Sequence, residues 1–246
     1  MDVIGVIPAR YSSTRFEGKV LADINGKPMI QHVWERAKQA KILDEIIIAC
    51  DHELVEKVAL RFGAKTVLTS KSHMCGTDRI AEVVNPLDVK IIVNIQADEP
   101  LIHPLMIDSV ARALLDDKDL SMATLRKRID DEALINDPNV VKVVVDKFDF
   151  ALYFSRARIP FPAANSEVEK PLYYKHIGLY AYTKDFLFTF KKLPVSNLEK
   201  AEKLEQLRVL EEGFRIKAIE TKYDSIGVDT PDDLLRVKEY LAQGNI

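Results

Sequence analysis

Arg10, Arg15 and Lys19 fall within ten residues of one another, just past the first apolar run of the chain. Far downstream, Asp98 and Glu99 follow a second strongly apolar run, and Asp229 stands before a helix start. Cations at this density suit an oligophosphate, because arginine's fork donates two parallel bonds to phosphate oxygens. Carboxylates beside them suit a hard divalent cation. Mg2+ takes one or two carboxylates and completes its shell with water and phosphate oxygens. Together they point to a nucleoside triphosphate rather than a lone phosphate. The competing reading is a solvated charged loop with hydrated cations, and spacing alone does not separate the two.

Neither familiar phosphate loop fits. A P-loop requires G-x-x-x-x-G-K-[ST], but Lys19 is followed by Val20, and Ser13 stands five before Gly18. The three glycines of a dinucleotide fingerprint are missing from this turn as well. Near the C-terminus, "GVDTPDDL" reads as a capping box with Thr230 at N-cap, Pro231 at N1 and Asp233 at N3. Asp232 and Asp233 thus have a structural job as first-turn acids. Asp229, outside the cap, is not explained that way.

The elements that must carry these residues alternate through the first half. Residues 3–8, 45–50, 65–68 and 90–96 read as strands, the first, second and last as continuous apolar runs of the kind buried on both faces. Residues 28–40, 53–63 and 76–85 read as helices, with Met29, Ile30, Val33, Trp34 and Ala37 on one stripe of the first. The layout is a doubly wound α/β fold with a mostly parallel, Rossmann-like sheet, in which ligands sit beyond the carboxyl ends of the strands. In the second half, residues 140–146, 151–161 and 172–183 are strand-like and read as an antiparallel insertion. The polar stretch 162–170 between the last two is a candidate mobile loop. A helix over 203–213, a strand over 215–221 and a final helix over 231–242 close the pattern.

The 246 residues, 47% of them hydrophobic, suffice for a single large domain over 1–246, with about 140–185 as the insertion. A net charge of −3 argues against nucleic acid or a membrane surface as partner. No apolar run approaches the roughly 18 residues of a bilayer span, and the N-terminus lacks signal-peptide features. Cys50 and Cys75 read as reduced thiols of a cytoplasmic protein, and the scattered histidines give no zinc pattern.

Seven stretches kept in order, "IPARYSSTRFEGKVLADINGKPMI", "CGTDRIAEVV", "VNIQADEPLI", "ALYFSRARIPF", "KHIGLYAY", "EKLEQLRVLE" and "GVDTPDDL", resemble the 3-deoxy-manno-octulosonate (Kdo) cytidylyltransferase family, the CMP-Kdo synthetases. The resemblance spans residues 2 to 240. The first loop departs from the family's STRLPGKPL: Phe16, Glu17 and Val20 replace its leucine and both prolines, while the cations are kept.

The resemblance implies a fold of the nucleotide-diphospho-sugar transferase type. It also implies transfer of CMP from CTP to the anomeric hydroxyl of Kdo, with release of pyrophosphate, for lipopolysaccharide biosynthesis. Arg10, Arg15 and Lys19 would grip the triphosphate, with Ala9 and Ser13 beside them, and Asp98 and Asp229 would hold Mg2+. Asp98 is also the candidate acceptor for the hydroxyl proton. Thr77, Arg79 and Gln96 become candidates for base and ribose, against the plainer roles of helix cap for Thr77 and surface charge for Arg79. His176, Tyr180, Glu205 and Gln206 become candidates for the sugar, and Arg156 or Arg158 for its carboxylate. The aromatic strands over 152–182 would form a two-fold dimer surface.

Three rivals stay open. The acidic sugar could be 8-amino-Kdo or a sialic acid. Sugar-1-phosphate nucleotidyltransferases share such a sheet but carry a glycine-rich first loop. A silent nucleotide-binding module would be expected to have lost Asp98, Asp229 or the cations.

Overall fold

The computed structural model describes residues 1–12, 17–73, 75–163 and 172–243. The first half alternates as its periodicity predicts. Strand β1 (Val3–Ala9) is followed by a 3-10 turn at Lys19–Leu21, a small hairpin β2 (Asp23–Ile24) and β3 (Lys27–Pro28), and helix α1 (Met29–Ala37). Then come β4 (Glu45–Cys50), α2 (Glu53–Arg61), β5 (Lys65–Leu68), α3 (Gly76–Val84) and β6 (Ile91–Asn94).

The second half begins with α4 (Pro104–Asp116) and β7 (Met122–Ile129), two elements that the sequence reading passed over. It continues through α5 (Glu132–Asn136), β8 (Lys142–Val145), β9 (Ala151–Ser155) and β10 (Tyr173–Thr183). Helices α6 (Lys184–Lys192), α7 (Asn197–Glu202) and α8 (Leu207–Glu211), strand β11 (Lys217–Glu220) and helix α9 (Pro231–Ala242) complete the chain.

The main sheet runs β11-β7-β10-β6-β1-β4-β5, with β8 and β9 branching off β10. The β1, β4, β5 and β6 ladders are parallel, as is β11 on β7. Alternation along β1 serves two cores: Val3, Ile7 and Ala9 pack on one face, and Ile4 and Val6 on the other. Helices α1, α2 and α4 cover the first face through residues such as Val33, Val55 and Val110, and α3, α6 and α8 cover the second through Ile80, Leu187 and Leu207. A strand buried on both faces needs apolar side chains in both directions, which is why the runs are continuous.

Strand β10 differs from the expected excursion. It lies inside the main sheet, antiparallel to both β6 and β7, and only the β8–β9 hairpin stands outside the path. Pairing with β7, unnoticed in the sequence, pulls it there. The register shifts between Ile177 and Tyr180, where the strand bulges.

The expected helix over 203–213 also shortens. Lys203, in the left-handed region at φ 56°, caps α7 by donating its N–H to Glu199 O at 2.7 Å, so α8 starts only at Leu207. Glu205 and Gln206 therefore sit on a turn rather than on a helix face. Of the 162–170 loop, residues 164–170 lie outside the described residues. The Thr230–Asp233 capping box is present as the sequence indicates.

Candidate active site

The residues of interest gather beyond the carboxyl ends of β1, β4 and β6, where an open parallel sheet leaves a crevice. Arg10 follows β1, Asp51 follows β4, and Gln96, Ala97 and Asp98 follow β6. Two backbone bonds shape the rim. Gly18 donates to Tyr11 O at 2.9 Å, with Gly18 at φ +67° and the Tyr11 ring 3.6 Å from where a Cβ would stand. Val228 donates to Asp98 O at 2.9 Å, strapping together the segments that carry the two aspartates.

The aspartates meet at Lys19. Its Nζ donates to Asp98 Oδ2 at 2.8 Å and to Asp229 Oδ1 at 3.1 Å. Burial opposes the ammonium's charge, but the two carboxylates outweigh it and the Lys19 pKa rises. The adjacent Glu99 turns inward, and burial pushes its carboxyl up to about 7. It lies against Gly227, where a Cβ would come within 3.3 Å of its Oε1.

Three cavities line up along the crevice. The middle one, about 350 Å3, is bounded by Pro8, Arg10, Ser12, Lys19, Val20, Gly76, Gln96, Ala97 and Asp98. Arg10 Nη2 is buried with no hydrogen-bond partner among the described residues. A buried, unpaired guanidinium nitrogen costs stability unless an anion completes it. To one side lies a cavity of about 200 Å3 that shares Arg10 and Ser12 and adds Tyr11, Asp51, His52, Lys71 and His73. To the other lies one of about 170 Å3 that shares Gly76 and Gln96 and is lined by Thr77, Asn94, Tyr180, Tyr182, Glu205 and Gln206, among others.

In that third cavity Thr77 Oγ1 donates to Glu205 Oε2 at 2.9 Å, and Gln96 Nε2 donates to Asn94 Oδ1 at 3.2 Å. Gln206, only 5% exposed, holds an unpartnered buried Nε2. His176 stands behind Tyr180, ring centroids 5.5 Å apart, rather than in the lining. Burial pushes its pKa down to about 3. Its Nε2 meets Thr124 Oγ1 at 2.9 Å, while Thr124 Oγ1 donates to the bulge carbonyls of Ile177 and Leu179. A neutral imidazole donating from Nε2 fits that arrangement.

Several expected residues are placed otherwise. Arg79, expected at the nucleotide, is fully buried (0% exposed). It donates to Asp51 Oδ2 at 3.1 Å and to Thr69 Oγ1, and Asp51 in turn accepts from Tyr11 N at 2.9 Å. Arg79 is corrected from a ligand contact to a brace under the first loop. Burial depresses its pKa against the pull of Asp51.

Arg156 donates to Glu202 O at 2.8 Å and Pro138 O at 3.0 Å. Arg158 pairs with Glu132 at 3.0 Å and with Tyr173 Oη. Neither lines the three cavities. Thr77 lines the cavity expected for the sugar, and Gln96 lines both that cavity and the middle one. Ala9 ends β1 buried beside Arg10, and Ser13 and Arg15 lie outside the described residues. Asp51, Asn94 and Tyr182 were missed. Asp51 follows an apolar strand just as Asp98 does, so the strand-end rule would have found it.

The Asp98–Asp229 pair fits a hard divalent cation, since two carboxylate oxygens already converge on one positive centre. Among the described residues no group of three or more His, Cys, Asp or Glu could hold a metal, so such an ion would need phosphate oxygens and water to complete its shell.

Known proteins place this arrangement. A family model described as Cytidylyltransferase matches residues 4–219. The 3-deoxy-manno-octulosonate cytidylyltransferase of Solibacter usitatus is 54% identical over 96% of this chain and 92% of its own length. That of Geotalea uraniireducens is 51% identical over 98% and 99%. A solved CMP:2-keto-3-deoxy-manno-octonic acid synthetase complexed with CTP superposes with a TM-score of 0.94 at 43% identity, covering 99% of this chain and 100% of that one. A 4-diphosphocytidyl-2C-methyl-D-erythritol synthase from Anaerococcus prevotii, 13% identical with a TM-score of 0.65, shares the fold alone. The chain belongs to the cytidylyltransferases, within the 3-deoxy-manno-octulosonate cytidylyltransferase family.

Proposed function

We propose that the protein is a Mg2+-dependent cytidylyltransferase that moves CMP from CTP to the anomeric hydroxyl of Kdo. The sugar oxygen bonds to the α-phosphorus, the bond from that phosphorus to the α,β-bridging oxygen breaks, and pyrophosphate leaves. The observation that carries this reading is that Arg10, whose buried Nη2 has no hydrogen-bond partner among the described residues, lines the same cavity as Lys19 and Asp98, with Asp229 on the same ammonium.

Arg10 and Lys19 bind the triphosphate and offset the charge that accumulates on the departing pyrophosphate. Asp98 and Asp229 would hold the magnesium ion, which when bound supplies Lewis-acid polarisation and a lowered hydroxyl pKa. Asp98 is the carboxylate at hand to take the hydroxyl proton. Tyr180, Glu205 and Gln206 orient the sugar in the cavity that opens, past Gly76 and Gln96, onto the phosphates. Tyr180 stays protonated at any working pH, because burial and then Glu205 push its pKa far up, so it can donate to a sugar oxygen.

The test is pyrophosphate release from CTP with Mg2+ and a panel of acidic sugars. Release with Kdo, and none with sialic acid or hexose 1-phosphates, is expected. Equal release with sialic acid would move the substrate assignment.

The same reading includes a homodimer built on the β8–β9 face. Leu152 on β9, and Phe161 and Leu172 further along the chain, stand 61%, 83% and 51% exposed, apolar side chains of the kind a two-fold interface covers. Light scattering of the purified protein decides it. A cytoplasmic setting accords with Cys50 and Cys75 being free thiols, and no helix among the described residues is long and apolar enough to cross a membrane.

A further inference from the structure

Lys19 is asked to do two things that exclude each other. A lysine that grips phosphate must extend into the middle cavity, yet its ammonium is held by Asp98 at 2.8 Å and Asp229 at 3.1 Å. Those two carboxylates are also the residues that fit a divalent cation. An ammonium and a divalent ion cannot share one point between two carboxylate oxygens, since like charges at such separation repel strongly inside a protein.

We propose that Lys19 is an exchangeable counter-ion. It holds the two aspartates together until a triphosphate draws it away, and only then does the metal take its place. The inference rests on the magnesium reading given above.

Three observations favour the exchange. Two carboxylates strapped side by side by the Val228–Asp98 backbone bond would repel one another without a cation between them. Lys19 also borders the cavity that Arg10 lines, so a rotation of its flexible stem would carry the ammonium from the aspartates toward the same space. Arg10 gives that space a like charge, and a polyphosphate is the chemistry that reverses its sign. Finally, Asp98 and Asp229 alone are too few ligands to outcompete a resident ammonium. Phosphate oxygens arriving with the nucleotide supply the rest of a metal's shell. Nucleotide binding thereby gates metal binding, and free metal is kept from closing on the aspartates first.

The test is titration with Mn2+ alone, followed by the EPR signal of free Mn2+, on the full chain without nucleotide. The wild type is expected to bind Mn2+ weakly, and Lys19→Met to bind it about tenfold tighter or more, because the competing charge is gone and the stem is kept. Lys19→Gln, should the methionine variant fold poorly, is expected to show the same gain. Adding Asp229→Asn to either variant is expected to erase it.

Equal Mn2+ affinity in wild type and both Lys19 variants, with wild type still retaining Mn2+ once CTP is added, overturns the exchange and leaves the magnesium reading intact. If no protein retains Mn2+ beyond what CTP itself holds, and pyrophosphate release proceeds in EDTA, the magnesium reading falls and the exchange with it.

Discussion

Thr77 Oγ1 donates to Glu205 Oε2 across 128 positions of sequence, joining the first turn of α3 to the turn before α8. That bond fixes the carboxylate wall of the cavity proposed for the sugar. Thr77→Val keeps the shape and removes the donor. About a five- to tenfold rise in KM for Kdo is expected, with KM for CTP little changed, as for a hydrogen bond worth about 1 kcal/mol. Steady-state kinetics with each substrate varied in turn checks it. A rise confined to CTP would put Thr77 at the nucleotide instead.

Asp98→Asn and Asp229→Asn each remove a proposed metal oxygen but leave Lys19 its other partner. Each variant should fold normally by circular dichroism and lose about 3 kcal/mol of transition-state stabilisation, roughly a hundredfold in kcat/KM. Near-normal turnover in either one contradicts its place in the centre.

Arg10 and Arg79 should respond in opposite ways to loss of charge. Arg10 has a buried nitrogen without a partner and lies close enough to Arg79 to lower its pKa, so Arg10→Met is expected to leave Tm unchanged or raise it while CTP binding collapses. Arg79→Met strands Asp51 beneath the loop and should cost about 3–5 kcal/mol of folding stability. Urea unfolding together with CTP titration separates the two roles.

Acid sensitivity follows from His176. Its pKa is lowered by burial to about 3, below the unfolded reference of 6.5, so the unfolded chain binds the proton first. The stability it contributes is whole above pH 6.5 and is lost as pH falls from there toward 3, with a slope of at most about 1.4 kcal/mol per pH unit. His176→Gln keeps a donor for Thr124 and should flatten that part of the urea-midpoint profile relative to wild type. An unchanged difference between pH 7.5 and 5.0 would falsify the assignment.

The sequence showed the parallel half of the sheet plainly, because strands buried on both faces must be apolar where they are covered, as "VIGVIP" and the "IIIAC" that follows Glu45 are. The α9 cap was legible for a local reason, since Thr230, Pro231 and Asp233 state it within four residues. The place of β10 was not legible. Whether an alternating strand joins an outlying hairpin or the centre of a sheet is decided by its partners, and β7 had gone unseen. The α8 region misled because its leucine spacing continues through Lys203, whose left-handed backbone breaks the helix. Lys19, Asp98 and Arg10 stood out as charge at strand ends, and Asp229 as an acid outside the α9 cap. The fate of Arg79 was hidden because a buried cation and an exposed one are written with the same letter.

Gly76 belongs to both the phosphate-side and sugar-side cavities, and a Cβ there would already stand 3.4 Å from the Pro8 ring. The boundary between the two cavities is therefore bare peptide at Gly76, while Gln96, shared by both, carries a side chain there. Two reactants lodged on either side would face each other across an open doorway. On the Gly76 side the width of that doorway is set by the polypeptide itself.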